Sequence, residues 1–167
     1  MKKRVYIDMD GVLCEYNTVK DPKELEAKGY FRNLSPISGN VDAVKKLAGS
    51  GEFDVYVLSA VIPAVRDEAV KEKNEWLDEH LPLIDPGHRI FPLCGENKAD
   101  AVGSVGENDI LCDDYSLNLK KWCASGGKGI KILNGINGKN GTYAGGPRIR
   151  ISGEDDLIKA VHGLYAV

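Results

Sequence analysis

Short apolar runs that close on an acidic or hydroxyl residue recur along this chain, and they alternate with amphipathic helical patterns. Arg4 to Asp8 is such a run, rich in β-branched and aromatic residues, and leads into Asp10 and Gly11. Phe53 to Leu58 runs into Ser59, and Asp109 to Cys112 runs into Asp113. Arg89 to Leu93 and Gly129 to Leu133 complete the predicted strands. Between them, Val41, Val44, Leu47 and Ala48 share one helical face, with Asn40 as the expected cap and Gly49 and Gly51 as the stop. A second helix enters at Pro63, carries Val65, Ala69, Val70, Trp76 and Leu77, and ends at His80 before Pro82. Shorter helices are expected over Lys98 to Val102, Ser116 to Ala124 and Asp155 to Leu164, the last capped by Ser152. Strand and helix in regular alternation predict an α/β fold, a parallel sheet sandwiched by helices. In such folds ligands bind at the carboxyl ends of the strands, where strand order reverses.

Two stretches break the alternation. Residues 15–37 are charged, contain Pro22 and Pro36 and have room for one short helix near Lys23 to Lys28; they read as a small cap inserted after the first strand. Residues 134–146 hold three Asn-Gly pairs, at Asn134, Asn137 and Asn140, each favouring a tight turn. A glycine-rich loop or a small hairpin satisfies that composition. The 167 residues suffice for a single domain, 1–167, with 43% hydrophobic and 28% charged residues. A net charge of −3 gives no general attraction to nucleic-acid polymers or anionic membranes. Met1-Lys2-Lys3-Arg4 is followed by only Val5, Tyr6 and Ile7 before Asp8, too short for a signal sequence, so a cytoplasmic protein is expected. Cys14, Cys94, Cys112 and Cys123 form no C-x-x-C pair and read as small buried residues. Trp76 and Trp122 lie at core spacing, and the three histidines have no catalytic partner nearby in sequence.

The strand ends gather Asp8, Asp10, Ser59, Asp113 and Asp114, with Lys98 at the start of a helix. Crowded carboxylates repel unless a cation joins them, and hard oxygen donors suit Mg²⁺, whose coordination a substrate phosphate completes. One carboxylate can attack phosphorus, and a second can exchange protons with the leaving alcohol and with water. A hydroxyl and a lysine can neutralise the transferring phosphoryl group. Taken singly, each residue has a plainer role: Asp-x-Asp or Asp113-Asp114 as a turn or helix cap, Ser59 as a turn residue, Lys98 as a surface lysine.

Together the residues carry a resemblance. Val5-Tyr6-Ile7-Asp8-Met9-Asp10-Gly11-Val12-Leu13 resembles the first motif of the haloacid dehalogenase (HAD) superfamily. Val57-Leu58-Ser59, Lys98 and Ile110-Leu111-Cys112-Asp113-Asp114 resemble its other three. The resemblance implies a Rossmann-like fold and a Mg²⁺-dependent phosphatase. In it Asp8 is the nucleophile, Asp10 the general acid/base, and Ser59 and Lys98 are phosphate ligands. It also places the metal on the Asp8 side chain, the Asp10 carbonyl and the last motif, Asp114 ahead of Asp113. Residues 30–39 and 72–81 are similar to the 5'(3')-deoxyribonucleotidases, which implies a small-molecule phosphomonoester, a nucleotide, as substrate. There a lysine at the position of Lys73 approaches the phosphate; a solvated helix lysine is the equal alternative. Ala60 stands in the phosphate loop where those relatives often carry a second hydroxyl. The insertion at 15–37 is shorter than their helical cap, and Tyr16, Tyr30 and Phe31 are its candidates for stacking on a base. Two other readings stay open, a phosphatase for a sugar phosphate or other small metabolite and a non-catalytic binding module. Oligomeric state is not legible.

Overall fold

The computed structural model describes residues 3–16, 21–136, 143–151 and 153–166. Six strands form one parallel sheet: β1 (Lys3–Ile7), β2 (Phe53–Leu58), β3 (Arg89–Ile90), β4 (Asp109–Asp113), β5 (Lys128–Ile132) and β6 (Arg148–Ile149). Their order is β3-β2-β1-β4-β5-β6, so the direction of winding reverses between β1 and β4. The helices are α1 (Ser38–Gly49), α2 (Arg66–His80), α3 (Lys98–Ala101), α4 (Ser116–Ala124) and α5 (Glu154–Tyr165).

Alternate residues of each strand feed two separate cores, as the two-residue side-chain period requires. Val5 and Ile7 of β1 and Ile110 and Cys112 of β4 pack with α1, α2 and α5 through Val44, Leu47, Trp76, Leu157 and Val161. Tyr6 and Leu111, pointing the other way, pack with Ala99, Leu119, Trp122 and Tyr143. A third cluster belongs to the cap, where Leu25 and Phe31 close on Val61 and Ala69. The cap leaves and re-enters the domain at one place, because Glu15 N–H donates to Ser35 O and Ile37 N–H to Leu13 O. Among its described residues the helical turn spans Pro22–Glu26.

The expected elements stand, with five main differences. α2 starts at Arg66 rather than at Pro63, because Pro63–Val65 forms a 3₁₀ turn of its own. α1 starts at Ser38 rather than after Asn40; Asn40 is buried, and its amide donates to the Val12 carbonyl beside the first strand's loop instead of capping. β3 is only two residues long, since Pro92 cannot extend a ladder; a bridge from Val61 to Leu93 follows it. β6 escaped notice because two residues behind Pro147 carry no period. It pairs parallel to β5, so the connection between them is a crossover. α5 begins at Glu154 after Gly153, whose N–H donates to Asp156; Ser152, Asn137 and Asn140 lie outside the described residues. Among the described residues no helix is long and apolar enough to cross a membrane.

Trp122 joins the sheet to α4: it is fully buried, meets Tyr6 edge-on at 5.0 Å and donates from Nε1 to the Asp109 carbonyl at 3.2 Å. Trp122→Ala is expected to cost about 3–5 kcal/mol of stability, measured by denaturant unfolding; a loss below about 1 kcal/mol would show that the site collapses to refill itself.

Candidate active site

The reversal between β1 and β4 sets two acidic segments side by side. Ile7 pairs with Cys112, and Asp8 N–H continues the ladder to Cys112 O at 2.9 Å, which places Asp8 against Asp113. The chain then turns sharply, with Val12, Leu13 and Cys14 N–H groups converging on Met9 O. Met9 drops into the core while Asp8 and Asp10 stay at the edge. Gly11 makes the turn possible: its φ is +76°, and a Cβ there would sit 2.7 Å from both Asp114 Oδ2 and Asn134 Nδ2.

Two lysines hold the carboxylates together. Lys98 Nζ lies 2.9 Å from Asp8 Oδ1 and 2.7 Å from Asp113 Oδ2. Burial works against its ammonium, but Asp113 and Asp8 outweigh that and keep its pKa above the ordinary lysine value. Lys73 Nζ lies 2.5 Å from Asp10 Oδ2 and 2.9 Å from Ser59 Oγ, with no solvent exposure at all. It is therefore not the solvated helix lysine that α2's polar sequence allowed. Burial pushes the Asp10 carboxyl above the usual aspartate range; Lys73 opposes this and Asp8 adds to it. Asp113 is raised likewise by burial, with Lys98 pulling the other way.

The acidic pair after β4 divides into two roles. Both Asp113 oxygens are engaged within the protein, Oδ1 by Tyr115 N–H and Oδ2 by Lys98 and Asn118. Asp114 instead reaches the cavity, steadied through Oδ2 by Asn134, which also donates to Gly11 O. Carboxylate oxygens of Asp8, Asp113 and Asp114 lie within 4.8 Å of one another, so a metal ion could sit among them. The donor set fits: the oxygens are hard, and four aspartates against Lys73, Lys98 and Lys131, whose Nζ donates to the Asp114 carbonyl, leave formal negative charge for a cation to offset.

A cavity of about 330 Å³ opens here, lined by Asp8, Asp10, Tyr16, Ala60, Lys98 and Asp114 from the expected set. Ser59, Lys73 and Asp113 form a fully buried layer outside that lining. Tyr30 and Phe31 do not line it; Phe31 is 4% exposed in the cap's own core, and Tyr30 packs edge-on against it at 5.0 Å. Sequence reasoning missed Tyr115, Asn118 and Gly95 in the lining, and Asn134 and Glu72 around it. Asn134 carried only a turn signal, and Glu72 looked like surface charge on a polar helix. Cys94 is exposed at the cavity wall, contrary to expectation, whereas Cys14 is buried with Sγ 3.8 Å from Asp10 Oδ1. Burial pushes both thiols up, so neither is poised as a nucleophile.

Residues 22–142 match the sequence profile of the 5' nucleotidase, deoxy (Pyrimidine), cytosolic type C family. The chain belongs to that family. The matched stretch includes Ser59, Lys73, Lys98, Asp113 and Asp114, and Asp8 and Asp10 precede it. A Staphylococcus aureus protein named "Putative 5'(3')-deoxyribonucleotidase" is 30% identical over 118 residues, 71% of this chain and 54% of that protein. A Staphylococcus epidermidis protein of the same name is 34% identical over 96 residues, 58% and 47% of the two chains. The chain thus spans about half the length of the curated relatives it matches. Among solved structures, D,D-heptose 1,7-bisphosphate phosphatase from Burkholderia thailandensis aligns with a TM-score of 0.62 at 15% identity, covering 99% of this chain and 100% of that one. A HAD family hydrolase from Deinococcus radiodurans, bound to phosphate and sodium, aligns at 0.63 and 13% identity, covering 99% and 97%. The Rossmann-like HAD fold is thereby established for this family member.

Gly11→Ala is expected to lower stability by about 1–3 kcal/mol, combining left-handed strain with a clash on Asp114 and Asn134, as read by denaturant unfolding. Unchanged stability would mean that the carboxylate and the amide swing aside freely.

Proposed function

We propose that this protein is a phosphomonoester hydrolase that works through a phosphorylated Asp8 and takes nucleoside monophosphates, deoxyribonucleotides foremost. The observation that carries the reading is the juxtaposition of Asp8 and Asp10 with Asp114 across the β1–β4 junction, tied by Lys98 and Lys73 at an open cavity. The family match supports the nucleotide, and the names of the staphylococcal relatives point the same way.

In the first step an Asp8 carboxylate oxygen attacks phosphorus, forming an O–P bond as the ester O–P bond breaks. Lys98, bonded to Asp8 Oδ1, orients that carboxylate. The leaving oxygen takes its proton from Asp10, whose burial favours the protonated form needed for that task. In the second step the Asp10 carboxylate accepts a proton from water, whose oxygen attacks the phosphoryl group and frees Asp8. Lys73 and the Ser59 hydroxyl lie in the buried layer behind Asp10, where Lys73 places positive charge beside the group that serves the leaving oxygen. Asp8, Asp114 and the Asp10 carbonyl would hold Mg²⁺, with Asp113 behind them as the residue that anchors Lys98. Bound there, Mg²⁺ supplies charge neutralisation for the phosphoryl oxygens; a B. bronchiseptica heptose bisphosphate phosphatase of similar fold was solved with magnesium and phosphate.

A second reading, a phosphatase for a sugar phosphate or other small metabolite, is favoured by one feature. With Phe31 in the cap's core, Tyr16 and Tyr115 are the aromatic residues left in the cavity wall. Phosphate release across deoxyribonucleoside 5'- and 3'-monophosphates and sugar phosphates separates the two, with the higher kcat/KM naming the class. Asp8→Asn is expected to reduce turnover of p-nitrophenyl phosphate with Mg²⁺ by about a thousandfold or more, and Asp10→Asn to be severely impaired. Retained activity in Asp8→Asn removes it as the nucleophile, and absence of wild-type turnover on every phosphate ester favours a binding module.

A further inference from the structure

Helix α2 carries two consecutive charged residues that are both buried, Glu72 at 3% exposure and Lys73 at none. Consecutive helix positions diverge by about 100°, so the two reach different neighbours. Lys73 turns toward Asp10 and Ser59. Glu72 turns toward the cap and spends both oxygens on backbone donors: Oε1 accepts from Gly29 N–H and Oε2 from Phe31 N–H at 2.9 Å. Leaving a buried carboxylate without such partners is costly, and charge-assisted bonds to backbone N–H groups are the strong kind.

We propose that Glu72 is a positioning residue that fixes the cap against the helix carrying Lys73, and so sets how the enzyme discriminates between leaving groups. This rests on the phosphatase reading above. The line of contact is continuous. Glu72 holds the Phe31 backbone, which places the Phe31 ring 4.9 Å from Lys73 Nζ and within the cap core. Tyr16 packs on that core and also lines the cavity. Its place in the cavity wall is therefore backed by the cap core that Glu72 anchors through Phe31. The attacking Asp8 does not depend on this line, because it is oriented by Lys98 from α3.

The test uses Glu72→Gln, which keeps the shape but puts an NH₂ opposite one of the two N–H donors. Steady-state kinetics with Mg²⁺ would compare a deoxyribonucleoside 5'-monophosphate with p-nitrophenyl phosphate, and amide hydrogen exchange would be followed at Gly29 and Phe31. The expected result is a KM for the nucleotide raised about tenfold or more, the worth of one charge-assisted hydrogen bond, with kcat on p-nitrophenyl phosphate within about twofold. Gly29 and Phe31 amides should exchange at least about tenfold faster in the variant, with β1 and β4 amides unchanged. Equal losses on both substrates, or no loss on either, overturn the selectivity role. Wild-type amides at Gly29 and Phe31 that exchange as fast as open-loop amides overturn the anchor, whether or not the variant folds. A wild type that turns over neither ester removes the phosphatase reading and the selectivity with it, while the exchange measurement still judges the anchor.

Discussion

Four aspartates converge where β1 and β4 end, and their mutual repulsion is the constraint around which the site is built. Lys98 answers it from α3 by bridging Asp8 and Asp113, and Lys73 answers it from α2 by holding Asp10. Both ammoniums are buried, so each is costly alone and is stabilised by the carboxylates it meets, Lys73 also by Ser59 Oγ. The helices that deliver them cannot shift without breaking these pairs. That couples the position of α2 and α3 to the strand ends more tightly than apolar packing, which tolerates sliding.

Division of labour within the cluster follows from depth. Asp113 lies deepest and is fully engaged by Lys98, Asn118 and the Tyr115 backbone, which makes it a fixed anchor. Asp114 and Asp8 stand at the cavity wall. Asn134 links Asp114 to Gly11, so the crossover after β5 stabilises the turn that carries Asp10. The Asn-Gly pair at 134 therefore serves the site through the asparagine side chain as well as through the turn.

The cap is small, yet it is not loosely appended. Its ends are joined by backbone bonds, Trp76 Nε1 donates to Leu34 O at 2.7 Å, and Glu72 binds Gly29 and Phe31. α2 thus serves the cap on one side and the buried layer behind Asp10 on the other. Burying Phe31 in that union removes one of the aromatic residues that a longer cap would offer to a base.

By itself the sequence determined the alternation of strands and helices, the carboxyl-end placement of Asp8, Asp10, Ser59 and Asp114, the start of a helix at Lys98, and a set of hard oxygen donors that suits a cation. Periodicity and strand-end chemistry are local, so they survive without coordinates. Tertiary structure decided what depends on contacts between distant segments. It buried Lys73 against Asp10, 63 residues away, where polar helix sequence had left solvent as an equal option. It separated Asp113 from Asp114 by depth, which adjacency in sequence cannot do. It sent Phe31 into a core and Asn40 onto a carbonyl, because an aromatic or an amide goes wherever the surrounding surface best satisfies it. Glu72 and Asn134 emerged only there, since a charge on a polar helix and an asparagine before glycine signal nothing until their partners are brought within hydrogen-bonding distance.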